Sequence, residues 1–202
     1  MSKYGPIENV APRSEEQAPS PWTGSRSVDW EKMRDAQWAT RDGDKVRIIE
    51  GIATTVRANE HGYAVAPLGA KFTLPLSLVL GHETKRRIGW VVDAQVDPFN
   101  IRFTAELARF DVYPEVETAW RAIVTGTLRG VSAGFPPGGI GDFRNYRADV
   151  DRVAHAWTWS ELTVCKVGAN PDAKILTVKT WDQGAAREYV HVKQITKSVR
   201  YG

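Results

Sequence analysis

The stretch Ile88–Leu107, IGWVVDAQVDPFNIRFTAEL, decides how the rest of the chain is read. In its second half Ile101, Phe103 and Ala105 alternate with Arg102, Thr104 and Glu106, the period of a strand with one dry and one wet face. Its first half, Ile88–Gln95, reads as a partner strand, and VDPFN between them is a hairpin-type connection.

Upstream, KVRIIEGIATT (45–55) is rich in β-branched residues and predicts another strand. A turn at Asn59–Gly62, a short strand at Tyr63–Ala66 and the apolar run PLGAKFTLPLSLVLGH (67–82) follow. Downstream, Pro114–Thr125 predicts a helix. Pro114 suits the first turn, Glu115 and Glu117 its positive end, and Val116, Ala119, Trp120, Ile123 and Val124 form an apolar stripe that Gly126 terminates. LRGVSAGF (128–135) predicts a short strand, PPGGIGDFRNYRADVD (136–151) a Gly-rich loop, and Arg152 to Val167 one long strand. A short helix is expected at Val28–Ala39, capped by Ser27, with Trp30, Met33 and Trp38 along one side. Strands outnumber helices in a mixed order and no internal repeat is found, so the fold class is a β-rich α+β domain. The expected organisation is a flexible N-terminal segment over 1–44 containing that helix, a domain over 45–180 and a polar tail over 181–202. Residues 1–27 are too rich in Pro, Ser and charge to bury much apolar surface.

At 202 residues and 42% hydrophobic, with 8 Trp, 6 Tyr and 6 Phe, the chain can build a real core. Its 27 basic and 24 acidic side chains are interspersed, and the pI near 9.0 comes without a Lys/Arg stripe interleaved with aromatics. No specific nucleic-acid partner is therefore expected. The single Cys165 excludes an intramolecular disulfide and suits a reducing compartment. No apolar run reaches the roughly 20 residues of a membrane span, and no secretory signal opens the chain, so the protein reads as soluble and intracellular with no membrane partner.

Four residues stand out for chemistry: His82, Ser132, His155 and Glu161. Ser132 lies on a strand among Gly130, Ala133 and Gly134, small enough for another backbone to approach, and its hydroxyl is either a nucleophile or an ordinary strand residue. His82 ends an apolar run before the charged ETKRR, where an imidazole is half-buried and serves as a general base or bonds a backbone carbonyl. Glu161 sits in a weakly polar stretch and must find a partner, either an imidazole to orient or an arginine. His155 and Glu161 fall on one predicted strand, roughly 20 Å apart at about 3.3 Å per residue, so only one can touch His82. His61, in a turn, and His191, in the tail, are poorer candidates. No Walker A, HExxH or CxxC pattern is present, and Asp149 and Asp151 read as loop charges rather than a metal site.

Four segments in order resemble the prohead (capsid maturation) serine proteases of tailed phages, a family related in fold to herpesvirus maturation proteases. IEGIATT (49–55) is similar to the opening strand and LPLSLVLGHET (74–84) to the run ending in a catalytic histidine. GVSAGF (130–135) is similar to the serine strand, and ELTVCKVGANPDAKI (161–175) to a closing block that usually reads Glu-x-Ser-x-Val, then Ala-Asn-Pro-x-Ala. The match covers about residues 46–178. Ala133, Thr163 and Gly168 depart from the family's usual larger aliphatic, serine and proline. The resemblance implies a barrel-like, herpesvirus-protease-like core flanked by a few helices. It implies a triad of Ser132, His82 and Glu161, with His155 as the alternative third member because the herpesvirus relatives use a second histidine. It further implies an endopeptidase without cofactor that cleaves scaffold, or the scaffolding segment of the major capsid protein, and itself, inside the immature prohead in the bacterial host cytoplasm of a phage or prophage. A homo-oligomer is compatible with it. Arg152, Gly138, Gly139 and Gly141 are the guesses for the oxyanion donors. Asn170-Pro171-Asp172-Ala173 reads as a helix start. Two rival readings stand beside it: a catalytically silent capsid-assembly or scaffold-docking module, and a nucleic-acid-associated β-domain of a mobile element.

Overall fold

The computed structural model describes residues 25–41, 45–144, 150, 152–182 and 189–194. In chain order these form β1 (Ser25–Val28), α1 (Trp30–Thr40), β2 (Lys45–Thr55), β3 (Tyr63–Val65), β4 (Ala70–Leu74), β5 (Leu76–Leu80), β6 (Glu83–Val96) and β7 (Asn100–Leu107). There follow α2 (Glu115–Val124), β8 (Gly130–Gly134), β9 (Ile140–Arg144), β10 (Arg152–Thr158), β11 (Glu161–Cys165), β12 (Lys174–Asp182) and β13 (Tyr189–Gln194).

The predicted hairpin is β6–β7, and it is the spine of a closed barrel. The ring runs β12–β2–β7–β6–β5–β11–β8 and returns to β12 through the Lys174–Gly130 pairing. Ile175 N–H donates to Arg129 O at 2.8 Å beside that closure. A ring with an odd number of strands cannot be antiparallel throughout. The one parallel pair is β5 with β11, and every other neighbour is antiparallel. Ile49, Leu78, Ile88, Val91, Ile101, Leu107, Leu162 and Val164 are fully buried in the core. Helix α2 adds Val116, Ala119 and Ile123, with Trp120 and Val124 packed at the margin as its stripe predicts.

A second sheet, β1–β4–β10–β3 with β9 on β10, lies beside the barrel. The single long strand expected over 152–167 is therefore two strands in two sheets. The switch is made at Trp159 and Ser160: Trp159 N–H donates to Lys71 O in the second sheet, and Ser160 N–H donates to Gly134 O in the barrel. Trp157 and Trp159 anchor the corner, each at most 2% exposed, with indole N–H groups donating to Ala66 O and Glu161 O. At about 150–250 Å² and 25 cal/mol per Å², each such ring contributes at most roughly 4–6 kcal/mol of burial energy.

Other expectations are corrected in detail. The Gly-rich loop contains β9, whose Ile140–Arg144 pairs with β10. Helix α1 is capped by Asp29, whose carboxylate accepts from Lys32 N–H at 3.0 Å, because residues up to Val28 are drawn into β1 against β4. It buries Met33, Ala36 and Thr40 and leaves Trp30 and Trp38 exposed, so the tryptophans do not share the face of Met33. Strands β1 and β13 lie within the segments expected to be a flexible start and a polar tail, whereas 1–24, 183–188 and 195–202 lie outside the described residues. No helix follows Asn170: its side-chain oxygen Oδ1 accepts from Asp172 N–H and its side-chain amide donates to Thr55 O and Arg57 O, so the block is a side-chain-pinned turn against the end of β2.

Candidate active site

His82 is held by a two-residue turn. Leu80 pairs with Glu83, and the two central residues, Gly81 and His82, have φ of +63° and +59°. Positive φ at both positions is the geometry that joins two strands without splaying them. Glycine takes it freely, whereas a side-chain-bearing residue loses about 1–2 kcal/mol in the left-handed region. The turn projects the imidazole, 53% exposed, back over β11.

Leu162 and Val164 of β11 enter the core, so alternation puts Glu161 and Thr163 on the other face. There His82 Nδ1 lies 3.3 Å from Glu161 Oε1 and 3.1 Å from Thr163 Oγ1, and the threonine hydroxyl donates to Glu161 Oε1 at 3.3 Å. Glu161 is 12% exposed, and its ion pair is with His82 rather than with an arginine. Across the antiparallel ladder Ser132 stands opposite Thr163, and Gly134 opposite Glu161. Directly paired residues have Cβ atoms about 4.5–5.5 Å apart on one face, which puts the Ser132 hydroxyl on the imidazole's side of the sheet. A Cβ on Gly134 would lie 2.3 Å from Glu161 Cγ, so the absence of a side chain there makes room for the carboxylate. The small neighbours of Ser132 therefore serve the chain itself: at Gly130 the close backbone is that of Val167 and Gly168.

Ser132 and His82 line one cleft of about 550 Å³, walled by Tyr63, Ala133, Phe135 and Val167 among others. Sequence reasoning passed over three residues of the site, two that line the cleft and one buried outside its lining. His61, dismissed as a turn histidine, lines the cleft, as does Cys165. Burial pushes the Cys165 thiol above its ordinary value, which keeps it protonated and a poor nucleophile. Thr163, fully buried, was noted only as a substitution for serine.

The chain is similar to a phage capsid polyprotein. Its identity to that of Pseudomonas phage PAJU2 is 30% over 144 residues, covering 69% of this chain and 21% of the polyprotein, so the chain spans about a fifth of that relative's length. No family model matches. Among solved structures, KSHV protease in complex with a hexapeptide phosphonate inhibitor aligns over 67% of this chain and 64% of its own, with TM-score 0.44 and 13% identity.

The remaining predicted residues lie elsewhere. His155 is on β10 in the second sheet and lines a separate cleft with Pro67, Leu68 and Pro98, so the residue brought to His82 is Glu161. Arg152, Gly138, Gly139 and Gly141 do not line the Ser132 cleft. Arg152 lies over the Phe143 ring at 5.1 Å, and Gly139 N–H is taken by Pro136 O. No cluster of three or more metal-binding side chains occurs among the described residues, and Asp149 and Asp151 lie outside them. His191 is on β13. No helix among the described residues is long and apolar enough to cross a membrane.

Proposed function

We propose that the chain is a serine endopeptidase of phage capsid maturation, in which Ser132 is the nucleophile, His82 the general base and Glu161 the residue that orients the imidazole. The observation that carries this reading is the contact of His82 with a nearly buried carboxylate on the sheet face that Ser132 shares, with His82 and Ser132 lining one cleft. With the Nδ1 side engaged by Glu161, Nε2 is left to take the Ser132 proton as Oγ attacks the scissile carbonyl. The imidazolium returns that proton to the leaving amine. Water, deprotonated by the same nitrogen, then hydrolyses the acyl ester and regenerates the serine hydroxyl. This chemistry calls for no cofactor.

Two further observations favour it. The four segments that resemble the prohead proteases, far apart in sequence, each contribute residues to the same cleft: Ala53 and Thr54, His82, Ser132 to Phe135, and Cys165, Val167, Ala169 and Asn170. Beside Ser132 a strand edge is open to an extended peptide. Val131 N–H donates to Ala173 O on the β12 side, while β12 pairs with β8 only at Gly130. Backbone alternation then aims the Ala133 N–H and C=O along that same side, into unpaired space suited to an added strand.

The substrates proposed are scaffold or the scaffolding segment of the major capsid protein, and the chain itself, within the immature shell. The similarity to a capsid polyprotein supports that assignment. It also favours a second reading, a silent assembly module of the same fold. Co-production with the cognate capsid protein separates the two: wild type should shorten the capsid protein while Ser132→Ala and His82→Ala leave it full length. Equal processing by Ser132→Ala would refute the nucleophile, and no processing by wild type would favour the silent module.

A further inference from the structure

We propose that Thr163 is a positioning residue which, together with Glu161, holds the His82 imidazole in the tautomer with its proton on Nδ1. The inference rests on the protease reading of the site and deepens it. Three polar atoms, His82 Nδ1, Thr163 Oγ1 and Glu161 Oε1, form a closed triangle with sides of 3.1, 3.3 and 3.3 Å. Two arrangements of the protons are available. When Nδ1 carries its proton, that N–H is shared between the carboxylate and the threonine oxygen, and the threonine hydroxyl donates to the carboxylate. All three sides are then attractive. When Nδ1 is bare, the hydroxyl can donate to only one of its two neighbours, and the imidazole lone pair faces the carboxylate oxygen across 3.3 Å. A neutral histidine has one donor and one acceptor nitrogen, a hydroxyl has one proton, and a carboxylate only accepts. That inventory selects the first arrangement and leaves the Nε2 lone pair on the base side.

The threonine is needed because the rest of the cage is loose. The imidazole is 53% exposed and hangs from a two-residue turn, and its bond to Glu161 is the longer of its two contacts. The Thr163 hydroxyl, by contrast, is on a residue with no exposed surface in the centre of β11, paired with Ser132 on one side and Val79 on the other. Enclosed between two paired strands, the hydroxyl oxygen is a fixed reference point for the ring.

The test compares Thr163→Val, which keeps the shape and removes the hydroxyl, with Thr163→Ser, which keeps the hydroxyl. The tautomer is read from the nitrogen resonances of ¹⁵N-histidine-labelled protein in the Ser132→Ala background, where no turnover intervenes. Wild-type and serine side chains at 163 should show a protonated Nδ1 and a bare Nε2, and valine should shift the balance toward the other tautomer. With Ser132 restored, Thr163→Val should lose on the order of 10–100-fold in kcat with little change in KM, less than the roughly 10⁴-fold cost of a fully wrong tautomer, because Glu161 remains. Thr163→Ser should stay within about threefold. Retention of the Nδ1–H tautomer in Thr163→Val would overturn the proposal. So would an equal loss in Thr163→Ser, which would assign the effect to the missing methyl group. Because the tautomer measurement decides the positioning role even for a chain that cleaves nothing, a silent wild type would count against the protease reading alone.

Discussion

Replacing Gly134 by alanine adds one methyl group, and the structure says where it goes. The new Cβ would lie 2.3 Å from Glu161 Cγ, 2.7 Å from its Oε1 and 2.9 Å from its Cδ. Contacts under 3.0 Å cannot be kept, so the carboxyl group has to move. The backbone at 134 is an ordinary strand without positive φ, and alanine there carries no conformational penalty of its own. Overpacking of this kind costs about 1–3 kcal/mol, part of it offset by the roughly 0.5–1 kcal/mol that alanine gains over glycine in a regular element. The fold should therefore survive while Glu161 loses its 3.3 Å contacts with His82 and Thr163. Removal of the orienting acid from a serine triad costs on the order of 10⁴-fold in kcat, and Gly134→Ala should approach that figure with KM changed only a few-fold. The assay is cleavage of a capsid-protein peptide, with circular dichroism as the check on folding. The sharper measurement is the double variant with Glu161→Ala. If both substitutions act through the same carboxylate, the pair should be no slower than either alone. Multiplying losses, or a folded Gly134→Ala of wild-type activity, would refute the argument.

Two further predictions address the turn and a surface ion pair. Gly81 has φ +63° and open space around its missing Cβ, with only Glu83 Oε1 at 4.0 Å, so Gly81→Ala should destabilise by about 1–2 kcal/mol on conformational grounds alone and Gly81→Asn by clearly less; urea unfolding that ranked alanine equal to asparagine would contradict this. The carboxyl of Glu117 is held below its ordinary value of 4.5, first by the hydrogen bond from Arg47 and then by that from Arg121. A depressed folded value means that the stabilisation is present in full above 4.5 and is lost as pH falls through the lowered value, so Arg47→Met should flatten the acid limb of the stability–pH curve, and an unchanged limb would show that the pair contributes nothing.

Much of the barrel was legible because its signals are local. Alternation in Ile101–Glu106 and the β-branched run at 45–55 each describe a strand that behaves as its own pattern dictates, and the Pro114 helix carries both its start and its apolar stripe. What periodicity cannot express is a change of sheet. Residues 152–167 look continuous because Trp159 and Ser160 interrupt neither polarity nor propensity; the break exists because Trp159 bonds to Lys71 and Ser160 to Gly134, partners far away in sequence. Asn170 misled for a related reason. Asn-Pro-Asp is a sound helix opening until the asparagine amide is used by Thr55 O and Arg57 O, which no local rule foresees.

The same distinction explains the candidate site. Ser132, His82 and Glu161 were each ambiguous alone and became a set through their ordered resemblance to a known pattern, and the structure brings His82 and Glu161 into contact, with Ser132 on the neighbouring strand. The choice between Glu161 and His155 had a physical basis in the sequence, since one strand cannot present both to a single imidazole. The premise that they share a strand was mistaken, yet the exclusion survives for a stronger reason: the corner at Trp159 sends the two residues into different sheets. Thr163 was visible only as a substitution for serine, with no role attached, for the opposite cause. A threonine in a strand carries no chemical signal because strands favour threonine, and only its pairing opposite Ser132, with His82 folded over it from another hairpin, gives its hydroxyl two partners to hold. A residue whose identity is explained equally well by propensity and by chemistry cannot be assigned from sequence, and the hydroxyl-keeping and hydroxyl-removing substitutions at 163 are what tell the two explanations apart.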